Sequence, residues 1–261
     1  MDLGLKGKRA LVTAASRGLG RAAAVSLARE GAVVAVAGRA SEVRDSVVAQ
    51  IAQAGGQAVA VDLDFSNPGT IAGGVEEAAR MLGGLDIVVA NTPGPASGPF
   101  MGITAAAWRD AFEMTVHALA DLSRVVIPHL QAAGGGRLIF VTTVGVKMVQ
   151  PDMVLSDATR LAVTGLAKSL SVEHAGDNIL VNSLCPGPIA TDRYLQLIDA
   201  TQKRQGLDRD GAEAIWLDEV PLRRAGSPEQ FGDLVAVLAS DAASYVTGAA
   251  LAVDGGKSRA Y

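Results

Sequence analysis

A short apolar run from Ala10 to Thr13 ends in small residues and then in Gly18 and Gly20. After it, from Arg21 to Glu30, Ala22, Val25, Leu27 and Ala28 fall mostly on one helical face. Strand, small-residue turn and helix, in that order, are the context that a dinucleotide-phosphate site requires. Small residues let the backbone approach a pyrophosphate, and the unpaired N–H groups of the helix's first turn point at the anion. A lone glycine spacing also serves ordinary tight turns, so the architecture must come from the rest of the chain.

Strand-like and helix-like segments alternate along it. Strands are predicted at 33–37, 58–63, 85–90, 137–142, 179–184 and 249–253. Helices are predicted at 41–54, 68–82, 154–173 and 227–239, and a long amphipathic segment runs from Ala105 to about Gln131, broken late by Pro128. Residues 188–220 are irregular and mixed in charge, which reads as a helical lid. Such alternation predicts an α/β fold: a doubly wound, Rossmann-type parallel sheet of about seven strands with helices on both faces. Ligands are then expected at the strands' carboxyl ends. No linker or composition break divides the chain, so residues 1–261 are read as a single domain.

Composition narrows the function. Aromatics make up only 4% of the residues against 30 glycines, which suits small side chains packing helices closely on a parallel sheet. A net charge of −4 gives no basic footprint for nucleic acid. Cys185 is the single cysteine, so neither an internal disulfide nor a cysteine-based metal cluster is expected. No apolar run has membrane-spanning length and the first residues lack a signal-peptide core, so a cytoplasmic protein is expected.

The motifs together resemble the short-chain dehydrogenase/reductase family, and are similar to its bacterial 3-oxoacyl-carrier-protein reductase branch. The matching pieces are Thr13-Ala-Ala-Ser-Arg-Gly-Leu-Gly20, Asp62-Leu63, Asn91-Thr-Pro-Gly94, Pro186-Gly-Pro-Ile-Ala-Thr191, Ser244-Tyr-Val-Thr-Gly248 and Val253-Asp-Gly-Gly256. The resemblance implies that Thr13, Ala15, Ser16, Arg17, Gly18, Leu19 and Gly20 form the cofactor loop. By the same token Asp62 and Leu63 flank the adenine, and Asn91 and Gly94 line the cofactor's path. Pro186, Gly187, Ile189 and Thr191 belong to the nicotinamide end, where Ile189 and Thr191 hold the carboxamide. Ala14 stands where the loop's first glycine is usual, with a methyl small enough for binding to survive. An acidic residue after strand two would bind the adenosine ribose and repel a 2′-phosphate. Here Gly38-Arg39 occupies that end and Arg17 sits in the loop. Paired guanidinium groups suit a phosphate, and in the family they imply NADP(H).

The chemistry site departs from the pattern. The family uses an Asn, a Ser, and a Tyr followed four residues later by Lys; the corresponding positions here are Thr115, Thr143, Ser156 and Arg160. A hydroxyl at Thr143 can still polarise a carbonyl. Ser156 cannot replace a phenol as an acid, and Arg160 stays protonated, able to bind ribose hydroxyls but a poor proton shuttle. The three tyrosines, Tyr194, Tyr245 and Tyr261, all lie elsewhere. Lys147 is read either as a substitute proton donor or anchor for an acidic substrate group, or as a solvated loop lysine. Asp157 is read as a helix cap rather than as a partner of Arg160.

Three function classes follow. The first is an NADPH-dependent reductase or dehydrogenase of a small carbonyl or alcohol substrate with a non-standard proton source. The second is a catalytically silent nucleotide-binding partner or sensor. The third is a lyase or dehalogenase on the same fold. Halohydrin dehalogenases resemble the family and carry arginine at the lysine position, but they keep the tyrosine and lose the glycine loop, the reverse of this chain. Retention of Ile189 and Thr191, which serve the nicotinamide, favours the first class. In the family the helices at 105–131 and 154–173 pack between subunits, so a homo-oligomer, tetramer or dimer, is implied. Lid residues Tyr194, Leu195, Leu197, Ile198, Ile215 and Trp216 suggest either a partly apolar substrate or packing of the lid on its own body. Arg193, Lys203 and Arg204 face either an acidic group or water.

Overall fold

The computed structural model describes residues 2–260, so Tyr261 lies outside the described residues. Its strands are β1 (Arg9–Val12), β2 (Val33–Gly38), β3 (Gln57–Asp62), β4 (Ile87–Ala90), β5 (Gly136–Val141), β6 (Ile179–Pro186) and β7 (Ala250–Val253). They form one parallel sheet in the order β3-β2-β1-β4-β5-β6-β7. The helices are α1 (Gly18–Arg29), α2 (Glu42–Gln53), α3 (Gly69–Leu82), α4 (Ala105–Phe112), α5 (Ala118–Ala132), α6 (Val154–Glu173), α7 (Asp192–Gln205), α8 (Arg209–Leu217) and α9 (Pro228–Ala239). Parallel pairing requires crossovers, and each crossover helix covers a face, so strands such as β4 and β6 are buried along their whole length.

Two apolar layers hold the helices. On one face Leu11, Val88, Leu138 and Phe140 pack with Val75 of α3, Leu119 and Leu122 of α5 and Val163 of α6. On the other, Val12, Val34, Val89 and Ile139 pack with Leu27 of α1, Ile51 of α2 and Phe231 of α9. α1 and α9 approach closely because Gly232 has no side chain; a Cβ there would meet the Ala22 carbonyl. Register places Val12, the end of β1, beside Val36 and Val89, so β4 runs one residue and β2 two residues beyond it. Between β1 and β4 the strand order reverses. At such a switch point successive connections leave for opposite faces and open a crevice.

Element boundaries depart from the sequence reading in four instructive places. α1 starts at Gly18, three residues before the expected Arg21, so Gly18 and Gly20 lie inside its first turn. β6 runs on to Pro186 because that residue pairs with Val253. Pro128 does not break its helix: α5 continues to Ala132, its last turns held by buried Ile127 and Leu130. Instead the long segment from Ala105 is interrupted earlier, by a π-helical turn over Glu113–His117. The region 188–220 is more regular than its mixed charge suggests. Thr191 caps α7 by accepting from the Tyr194 N–H, Asp208 caps α8 by accepting from the Gly211 N–H, and Tyr194, Ile198 and Ala212 form a small core of their own.

Candidate active site

The crevice is a cleft of about 650 Å³ at the carboxyl ends of the central strands, with α7 and α8 as its lid. That volume lies within the range of small-molecule and cofactor sites.

At one end, Ser16, Arg17, Gly18 and Leu19 line it where β1 passes into α1. The first N–H groups of α1 have no intrahelical partner, and they supply donors there. Thr13 and Ala15 sit behind this surface. Thr13 Oγ1 donates to the Asn91 carbonyl at 2.7 Å and accepts from the Asn91 N–H at 2.9 Å, tying the end of β1 to that of β4. The Ala15 N–H donates to the Ala37 carbonyl at 3.0 Å, tying the loop to β2. Gly20 is also behind the surface, and a Cβ on it would collide with the Ala14 carbonyl. Ala14 holds a left-handed φ of 45°, a conformation that costs a residue with a Cβ about 1–2 kcal/mol.

Arg39, just beyond β2, lines the same end. Arg17 Nη1 is 4.0 Å from the Asp192 carboxylate, the one acidic side chain in the lining. Asp62 and Leu63 do not line the cleft. Asp62 turns to an ion pair with Arg44, and Leu63 enters the core below the sheet. The cleft therefore fits an anionic nucleotide: unpaired first-turn N–H groups and two exposed guanidinium groups stand together, opposed by a single carboxylate.

Along the middle run Asn91, Gly94, Pro186, Gly187, Ile189 and Thr191. Arg193, in the first turn of α7, reaches across and donates to the Pro95 carbonyl at 2.9 Å, and burial pulls its pKa down.

At the far end stand Thr143, after β5, and Ser156, in the first turn of α6. Thr143 Oγ1 accepts from the Gly145 N–H at 3.2 Å and from Gln150 Nε2 at 3.1 Å. Arg160 lies one turn beyond Ser156 and is buried. Its guanidinium donates to the carbonyls of Val141 at 2.8 Å, Thr92 at 3.1 Å and Pro93 at 3.4 Å. No carboxylate among the described residues lies within ion-pair distance of it, and burial pulls its pKa down to about 10. Arg160 thus pins the ends of β4 and β5 together. Of the tyrosines described, Tyr194 lines the cleft, but its hydroxyl donates to Glu213 at 3.2 Å. Burial, with that carboxylate beside it, raises the phenol well above its ordinary pKa.

Two expected residues are not brought here. Thr115 lies in the π-helical turn, fully buried, with its Oγ1 unpartnered, and is not in the lining. Lys147 does not line the cleft either; its charge is felt instead by the Cys185 thiol, which burial nevertheless raises. The 3-10 turn over Val144–Val146 carries the chain past the cleft before Lys147 is reached. Asp157 neither caps α6 nor pairs with Arg160. Its Oδ2 accepts from the Gln150 N–H at 3.2 Å and its Oδ1 is buried without a partner, so burial raises its pKa. Gln150 and Met153 of the lining were missed by sequence reasoning. They stand on a loop with no periodicity, where Pro151 is the sole local signal.

Among the described residues no cluster of His, Cys, Asp or Glu could hold a metal ion, and no helix is long and apolar enough to cross a membrane. Comparison with known proteins agrees with this fold. The family model described as Enoyl-(Acyl carrier protein) reductase matches residues 13–258. The 7alpha-hydroxysteroid dehydrogenase of Clostridium sardiniense is 32% identical over 255 residues, covering 97% of this chain and 94% of that protein. The crystal structure of L-sorbose reductase from Gluconobacter frateurii, complexed with NADPH and L-sorbose, superposes with a TM-score of 0.94 at 29% identity, covering 100% of both chains. A 7 alpha-hydroxysteroid dehydrogenase complexed with NADH and 7-oxo glycochenodeoxycholic acid superposes with a TM-score of 0.87 at 30% identity, covering 98% of this chain and 96% of that one.

Proposed function

The chain belongs to the short-chain dehydrogenase/reductase family, and from that premise we propose that it is an NADPH-dependent reductase of a small ketone that works without the family's tyrosine and lysine. The observation that carries the reading is one continuous cleft joining the glycine-loop end to the Thr143 and Ser156 hydroxyls. Arg17 and Arg39, with no acidic residue at the end of β2, support the phosphorylated cofactor over NADH. Ser16, Gly18 and Leu19 hold the diphosphate, and Ile189 and Thr191 the nicotinamide amide. The nicotinamide supplies the hydride when bound.

The protein's own part is then alignment and polarisation. Thr143 donates to the carbonyl oxygen as negative charge develops on it. Arg160 keeps the ends of β4 and β5 in register and exchanges no proton. The proton that completes the alcohol is drawn from water, because Ser156 is too weak an acid. Met153, Leu197 and Trp216 give the substrate end an apolar wall. Leu161 and Val172, exposed on α6, support assembly into a homo-oligomer, dimer or tetramer.

The test is NADPH oxidation with a panel of steroid ketones, ketoses and cyclic ketones. Turnover of at least one supports the reading; NADPH binding without any turnover favours the second one, a silent nucleotide-binding partner. The observation favouring that second reading is the combination of a phenol tied to Glu213 and a guanidinium committed to carbonyls. Within the reductase reading, Ser156→Ala should retain most of the turnover, within about 3-fold. A loss of several hundredfold would assign the proton to the serine, since a general acid contributes on the order of 10²–10⁴.

A further inference from the structure

Resting on the reductase reading, we propose that Gln150 is a positioning residue that fixes the direction of the Thr143 hydroxyl, leaving its proton to be donated into the cleft. A threonine hydroxyl has two lone pairs and one proton. Both lone pairs of Thr143 Oγ1 are used: the Gly145 N–H donates at 3.2 Å and Gln150 Nε2 at 3.1 Å. The first of these is a backbone group and cannot reverse its role. With both acceptor sites filled, the proton points away from the loop, and Thr143 borders the cleft on its open side. A carbonyl oxygen bound there meets a donor that is already oriented and needs no reorganisation.

The loop holds Gln150 for this purpose from both ends. Its N–H donates to Asp157 Oδ2 at 3.2 Å, and its carbonyl accepts from the Met153 N–H at 3.3 Å. Gln150 is 8% exposed, so the amide bond to Thr143 is sheltered from competing water. Gly145 is part of the same device: a side chain there would collide with Asp157 Oδ1. The opposite amide orientation would offer Oε1 to Thr143, draw its proton into the loop and leave the carbonyl oxygen without a donor.

The elements around the loop carry the following charged groups. Asp157 of α6 sits on its own N–H, and Arg160, also of α6, is directed to the carbonyls of Val141, Thr92 and Pro93. Asp152 of the loop pairs with Arg204 of α7 at 2.6 Å, and Arg193 of α7 lines the same cleft.

The experiment compares Gln150→Glu, Gln150→Ala and the exposed-loop control Val149→Thr, using a ketone that the wild type reduces, between pH 5 and 9. A carboxylate at position 150 can only accept, so Q150E draws the Thr143 proton inward. Its kcat at pH 8 should fall about 10–100-fold, with KM and NADPH affinity within about 3-fold of wild type. Once protonated the new carboxyl can donate, and Asp157 nearby favours protonation, so kcat should recover as pH falls. Q150A should lose about 10-fold without recovery at low pH, and V149T should match the wild type. Wild-type kcat and pH profile in Q150E overturn the inference, as does a loss equal at every pH. A wild type that turns over no ketone overturns the reductase reading and this inference with it. Turnover in the wild type with Q150E unchanged overturns the inference alone.

Discussion

Arg160→Ala should lower the melting temperature by roughly 5–15 °C, the counterpart of about 2–4 kcal/mol in a chain of this size. The substitution strips donors from the carbonyls of Val141, Thr92 and Pro93 at once, and leaves a cavity where a buried side chain stood. Each buried carbonyl left unpaired costs about 1–3 kcal/mol. Relief of the arginine's own desolvation offsets part of the loss, which is why the total stays below the simple sum. Arg160→Lys should fall between the two, because one ammonium cannot span the ends of both β4 and β5 as the planar fork does. Thermal unfolding followed by circular dichroism measures the difference. A shift of less than 2 °C for Arg160→Ala would mean that the guanidinium is not the anchor the geometry describes.

The second large effect is at the opposite end of the cleft. The double variant Arg17→Ala/Arg39→Ala should bind NADPH about 100-fold more weakly while its NADH affinity stays within about 3-fold. Both residues are exposed, so their bonds to a 2′-phosphate compete with water, and the effect should shrink as salt rises from about 50 to 500 mM. Equal loss for the two cofactors would place the arginines on the diphosphate instead. Loss for neither would leave them as solvated surface charge.

How legible the molecule is from its sequence depends on what carries the signal. Buried parallel strands are continuous apolar runs, so Val33–Gly38 and Ile87–Ala90 stand out against polar surroundings, and the sheet follows from their alternation with helices. α6 matches its expected limits, Val154–Glu173, because its pattern is long and regular. Spacing also carries Thr143, Ser156 and Arg160 to the cleft wall, since a strand end and a helix fix their directions.

Loops carry no such constraint. Lys147 and Gln150 lie three residues apart on one loop, yet only Gln150 reaches the cleft. The turn over Val144–Val146 and the hold of Asp157 on the Gln150 N–H decide that, and neither has a period to read. Thr115 fails for another reason. The π-helical turn shifts the phase of a helix without changing its apolar content, so the residue's direction is invisible in the pattern. The partners of Arg160 are not legible in the pattern, because its acceptors are backbone carbonyls that every residue possesses.

The most direct test of the central claim, an intact NADPH site in a cleft built for hydride transfer, is a fluorescence titration of the purified protein with NADPH and, separately, with NADH. The account predicts NADPH binding at least 10-fold tighter than NADH, with enhanced nicotinamide emission as the ring enters the protein. Equal affinities would contradict the role given to Arg17 and Arg39, and binding of neither nucleotide would contradict the reductase reading itself.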